Sequence, residues 1–134
     1  MQANNPTALL EAAREACERA HARYSGFPVG AALSTTVGRV FSGCSVENAS
    51  YGLTTCAEVG AVQAAVLGGM EPGELAMIAV YARDERRPCM PCGRCRQVIA
   101  EFARSDCKVV VWSEAGGLAI HTLADLLPNP FVLV

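Results

Sequence analysis

Two short stretches, Thr55-Cys56-Ala57-Glu58 and Pro88-Cys89-Met90-Pro91-Cys92-Gly93-Arg94-Cys95, constrain the fold more than anything else in the chain. If their cysteines act together, the fold must bring both segments to one place. Two cysteines separated by two residues can take two corners of a tetrahedron around a zinc ion. A closed structural site usually joins two such pairs. Here the distant partner is a lone Cys56, with the carboxylate of Glu58 two residues on. That pattern points to three protein ligands, an open fourth position and a group able to move protons beside it.

The sequence around these stretches suggests how they meet. Residues 6–23 read as a helix capped by Asn5, with Pro6 at its first position and Leu9, Ala13, Cys17 and Ala20 on one apolar face. Strands are expected over 29–36 and 39–45, joined by the Val37-Gly38 turn, and a polar loop over 47–55. An Ala/Val-rich helix over 56–67 stops at Gly68-Gly69. An apolar strand over 75–82, a charged loop over 83–87 and a second buried helix over 92–103 follow. Strands over 109–112 and 118–121 and a short helix over 122–127 close the pattern. Alternating strands and helices after an initial hairpin imply an α/β fold with helices packed on a mixed sheet. Both thiol motifs then fall at helix starts, where unpaired N–H groups and partial positive charge favour thiolates.

Composition bounds the function. A chain of 134 residues that is 51% hydrophobic and 18% charged suits a single domain over residues 1–134 with a substantial core. Its net charge of −2, lack of a basic run and 6% aromatic content favour a small-molecule substrate over a nucleic-acid partner. No segment is apolar for long enough to suggest a membrane span, so a soluble, cytoplasmic protein is expected. Seven cysteines, three of them at 89, 92 and 95, read as metal-binding rather than as a secreted disulfide framework. Cys17, Cys44 and Cys107 read as small core residues.

Further segments carry a resemblance. They are Tyr24-Ser25-Gly26-Phe27-Pro28-Val29-Gly30-Ala31-Ala32 and Gly43-Cys44-Ser45-Val46-Glu47-Asn48-Ala49-Ser50-Tyr51-Gly52. With Cys56-Ala57-Glu58, Pro91-Cys92-Gly93-Arg94-Cys95-Arg96-Gln97-Val98 and Leu126-Leu127-Pro128, they make the chain similar to the cytidine deaminase family. The resemblance implies a three-layer α/β/α sandwich around a five-stranded mixed sheet. It implies Zn²⁺ bound by Cys56, Cys92 and Cys95, with Glu58 as proton shuttle in the hydrolytic deamination of cytidine and 2′-deoxycytidine. Phe27, Ser45, Glu47 and Ala57 would meet the cytosine nucleoside. Phe131 would reach into a neighbouring subunit of a homotetramer, which an apolar ending, Phe131-Val132-Leu133-Val134, also suits. Pyrimidine salvage is the role implied.

Other readings compete. Cys89 and Cys92 also satisfy a Pro-Cys-x-x-Cys spacing, although only the later pair begins the expected helix. The triplet alone resembles part of an iron–sulfur run, without the fourth cysteine. A non-catalytic zinc or iron–sulfur module is therefore the alternative from another class. Within the chemistry, two departures matter: Ser45 stands where many members carry Asn, and Val59 where many carry Arg. Val59 and Arg94 make the chain similar to blasticidin-S deaminases as well. Arg94, between the two later ligands, is a candidate to offset the negative charge of three thiolates. His21 and His121 match no motif and are assigned no role.

Overall fold

The computed structural model describes residues 4–84 and 86–133. Helix α1 (Pro6–Cys17) is followed by the hairpin β1 (Gly30–Thr35) and β2 (Val40–Cys44), then a 3₁₀ turn at Tyr51–Leu53. Helix α2 (Ala57–Leu67), strand β3 (Leu75–Tyr81) and helix α3 (Gly93–Phe102) come next. Strands β4 (Ala103–Ser113) and β5 (Gly117–Thr122) and helix α4 (Leu123–Leu126) complete the order. The five strands lie in the order β2-β1-β3-β4-β5. Only β3 and β4 run parallel; β1/β2, β1/β3 and β4/β5 are antiparallel.

The sheet is buried on both faces because successive side chains point opposite ways. On one face Ala32, Met77, Ala79, Tyr81 and Val110 pack with Leu9, Ala13 and Cys17 of α1. On the other, Ala31, Leu33, Ile78, Val80, Val109 and Val111 pack with Ala57, Ala61 and Val62 of α2, Ile99 of α3 and Leu123 of α4. The result is the expected three-layer α/β/α sandwich. Two glycines set the layer spacing. A Cβ at Gly30 would stand 2.0 Å from the Ala13 carbonyl oxygen, and one at Gly43 would stand 2.3 Å from the Ala61 nitrogen. The hairpin thus seats α1 and α2 backbone to backbone, which only glycine allows.

Asn5 caps α1 as expected, its side chain accepting from Thr7 N–H at 2.9 Å and Ala8 N–H at 3.2 Å. The helix ends at Cys17, however, and not at Arg23. Tertiary pairing overrides the continuing apolar period. His21 N–H donates to the Ser45 carbonyl at 2.9 Å, and Glu47 N–H donates to the His21 carbonyl at 2.8 Å. Residues beyond Cys17 are therefore drawn out to meet the segment after β2. Strand β4 is longer than 109–112, beginning directly where α3 stops.

The register gathers the site at one end of the sheet. Gly30, the start of β1, lies opposite Cys44, the end of β2, and opposite Tyr81, the end of β3. The loop after β2 leads to the start of α2, and the loop after β3 to the start of α3.

Candidate active site

Cys56 is the N-cap of α2 and Cys92 the N-cap of α3, so both helices open on a thiol. A reciprocal pair of 2.9 Å bonds between the backbones of Val46 and Thr55 closes the intervening loop and places Cys56 beside the segment carrying Glu47. Cys95 lies in the first turn of α3 and is fully buried. The Sγ atoms of Cys56, Cys92 and Cys95 all lie within 4.8 Å of one another. Cys89 is not in that group. The donor set fits zinc, whose sulfur bonds of about 2.3 Å can gather three thiolates from such a spread and leave a fourth position open.

These thiols differ in acidity. Burial raises Cys56 and Cys95 above an ordinary thiol. Burial also acts on Cys92, but the Cys95 backbone amide and thiol outweigh it and leave Cys92 lowered. Ligation needs thiolates, so binding an ion here releases protons and strengthens as pH rises.

Glu58 follows in the first turn of α2, with only 4% of its surface exposed. Burial pushes its carboxyl above the ordinary value of 4.5. In the metal-free protein, a raised carboxyl contributes stability at and below 4.5 and loses it as pH rises through the raised value. The denaturant midpoint of that protein should therefore fall from pH 4.5 toward neutrality. Glu58→Gln should flatten the fall, as urea titrations across that range would read out.

A cavity of about 270 Å³ opens over this group. Its lining includes Phe27, Ser45, Glu47, Ala57 and Glu58 as well as the three thiols and Cys89, and five residues given no role from the sequence: Ser25, Val29, Thr54, Thr55 and Met90. Glu47 is held by N–H groups of Tyr24 and Ser25, each at 3.0 Å, and by the Ser25 hydroxyl. The Ser25 hydroxyl and amide are the main reason its carboxyl lies below the ordinary value. Ser45 is buried, and its hydroxyl accepts from Val29 N–H at 3.1 Å. Ala57 is fully buried at the cavity floor, and Phe27 is 42% exposed at its edge.

Two expected residues lie apart. Phe131 is 72% exposed and does not line this cavity. Its backbone N–H donates to Gln97 Oε1 at 3.0 Å, and its carbonyl accepts from Gln97 Nε2 at 3.0 Å. Arg94 is exposed, and its side chain takes part in none of the side-chain hydrogen bonds or ion pairs among the described residues. Cys89, the first cysteine of the competing 89/92 pair, is half-buried, and burial with nearby Glu58 pushes it up to about 11. Cys17 and Cys107 are buried and Cys44 is partly so.

The model of the cytidine and deoxycytidylate deaminase zinc-binding region matches residues 3–112. The chain belongs to this family. A cytidine deaminase from Halalkalibacterium halodurans is 45% identical over 123 residues, covering 92% of this chain and 91% of that one. The solved cytidine deaminase of Burkholderia pseudomallei is 49% identical, with a TM-score of 0.87 over 93% of this chain and 98% of that one. A blasticidin-S deaminase of Bacillus cereus is 30% identical over 105 residues, covering 75% of this chain and 74% of that one. Zinc is the family's ion, and Cys56, Cys92 and Cys95 are the group placed to hold one here.

Proposed function

We propose that the chain is a hydrolytic deaminase that turns cytidine and 2′-deoxycytidine, with water, into uridine and 2′-deoxyuridine plus ammonia. The observation that carries this is a buried carboxylate, Glu58, beside three gathered thiols on the floor of a nucleoside-sized cavity. The names of the relatives support the same chemistry.

In this reading Cys56, Cys92 and Cys95 hold zinc. The ion, when bound, supplies the Lewis acidity that makes water nucleophilic near neutral pH. Glu58 takes a proton from the attacking water and delivers it to N3 of the ring. It then takes the second proton from the hydroxyl now on C4 and passes it to the amine. The carbonyl of the uracil ring forms as the bond from C4 to nitrogen breaks and ammonia leaves. A carboxyl raised by burial suits a group that must both accept and return protons. Phe27 lies against the pyrimidine. Glu47, held by three donors from Tyr24 and Ser25, stays ionised to accept from a sugar hydroxyl. The Ser45 oxygen already accepts from Val29, which leaves its proton for the sugar. Ala57 offers only a methyl group and backbone where the ring's edge arrives. Offsetting the thiolate charge by Arg94 belongs to the same proposal, and pH–rate profiles of Arg94→Ala would test it.

Loss of the cytosine chromophore across cytidine, 2′-deoxycytidine and blasticidin S tests the reading. Turnover of the first two supports it, turnover of blasticidin S alone shifts the substrate, and no turnover with zinc bound overturns it. We also read residues 1–134 as one catalytic domain acting in pyrimidine salvage in the cytoplasm, where ligand thiols stay reduced. No helix among the described residues is long and apolar enough to cross a membrane.

A homotetramer is proposed too. Phe131, Val132 and Leu133 are 72%, 68% and 86% exposed, an apolar tail suited to burial against a second copy. Sedimentation should show an assembly larger than one chain. A fully active monomer at assay concentration would refute it.

A further inference from the structure

Of the three gathered thiols, Cys92 has the least packing to hold it. Cys95 is fully buried and Cys56 partly so, whereas Cys92 is exposed at the mouth of α3. It also ends a stretch, 86–92, with no helix or strand of its own. Something other than core packing must fix where its sulfur stands.

Arg96 does this from one turn away. Its backbone N–H donates to the Cys92 carbonyl at 2.9 Å. Its Nε–H donates to the carbonyl of Pro91 at 2.8 Å. One residue therefore holds the peptide before Cys92 and the peptide after it, which leaves the Cα between them little freedom. The ring of Pro91 is itself fully buried, so the grip starts from a fixed point. The Arg96 Nη1–H donates to the carbonyl of Leu126 at 2.9 Å, which ties the segment to the end of α4. The guanidinium fork is suited to this because its donors sit at fixed angles. All its described partners are carbonyl oxygens, so what it supplies is orientation.

We propose that Arg96 is the positioning residue for Cys92: it presents that sulfur to Cys56 and Cys95 before an ion arrives. This rests on the reading of the three cysteines as zinc ligands. Groups that orient a ligand typically contribute 10–100-fold in metal affinity, and a loss of that order is expected in Arg96→Met. Arg96→Lys keeps the charge and the stem but lacks the fork, so it should lose affinity to a similar extent. It also keeps the comparison decisive where Arg96→Met fails to fold. Leu126→Ala serves as the control for general loosening, because it removes packing at α4 while keeping the carbonyl that Arg96 uses.

Zinc affinity by competition with a chelating dye, together with melting of each metal-free protein, reads all four proteins. Weakened zinc binding in both Arg96 variants, with Leu126→Ala near the parent despite a lower melting temperature, supports the proposal. Three results overturn it: Arg96 variants that bind zinc like the parent, Arg96→Lys restoring affinity in full, or Leu126→Ala losing affinity as steeply as Arg96→Met. A parent that binds no zinc sinks the ligand reading beneath it and is distinguished by that first titration.

Discussion

Glu58→Gln should keep zinc and fold yet lose at least ~100-fold in turnover, since general acid–base catalysis typically contributes 10²–10⁴-fold. That range is about 3–5 kcal/mol of barrier at 1.36 kcal/mol per tenfold. The upper half is expected here, because a single carboxylate serves successive transfers, and the other carboxylate lining the cavity, Glu47, is held by Tyr24 and Ser25. Glutamine keeps the shape and the buried position, so the fold has little reason to respond. It even removes a carboxyl that burial penalises when ionised. Zinc content and circular dichroism should match the parent while the rate of uridine formation collapses. A variant with a tenth or more of parental turnover would end the assignment of Glu58 as the shuttle.

Much of this site was legible because its chemistry is carried by side chains of distinctive type at fixed spacing. Cysteines at helix starts and an acid two residues after the first of them remain visible without a fold. The layers were legible too, since β3 is apolar throughout and the hairpin is marked by Val37-Gly38. The length of α1 was not. Ala20 continues the apolar period, but pairing of His21 with the backbone of 45 and 47 decides the outcome, and such pairing leaves no trace in a local pattern. The start of β4 was hidden for a related reason. Arg104, Ser105 and Asp106 are exposed and polar, so they lack the apolar run that marks the rest of that strand.

Arg96 and Gln97 were the larger omission. Both lie inside a quoted motif, yet their partners are main-chain groups: the carbonyls of Pro91 and Leu126, and the amide and carbonyl of Phe131. A side chain bonded to backbone imposes no residue type on its partner, so sequence reading finds only half of the pair. Arg94 shows the converse. Its place between two cysteines drew attention, yet its side chain is exposed on α3, so the offset proposed for it is one of charge near the thiolates and not of a contact. The helix period explains the difference, since Arg96 sits one full turn after Cys92 and Arg94 only half a turn.

Replacing the cysteines one at a time should separate the two possible ligand pairs. Cys95→Ser and Cys92→Ala are expected to fall from about one zinc per chain to little or none under mild chelation, because a site with three protein ligands loses a corner it cannot replace. Serine at 95 fills the buried volume, so loss of metal there would not be a packing effect. Cys89→Ala should keep its zinc. The Cys89 sulfur stands outside the group whose sulfurs gather within 4.8 Å, although it lines the same cavity. Its thiol, pushed up to about 11 chiefly by burial and then by Glu58, also resists becoming the thiolate that ligation requires. Burial raises Cys95 as well, so acidity alone would not choose between them. Geometry decides, since Cys92 and Cys95 open α3 with both sulfurs turned toward Cys56, and Cys89 precedes the buried Pro91 on the approach. Metal analysis of the three variants checks this. Zinc lost from Cys89→Ala and retained by Cys95→Ser would move the ligand pair to 89 and 92, and Arg96 would then hold the second ligand of that pair.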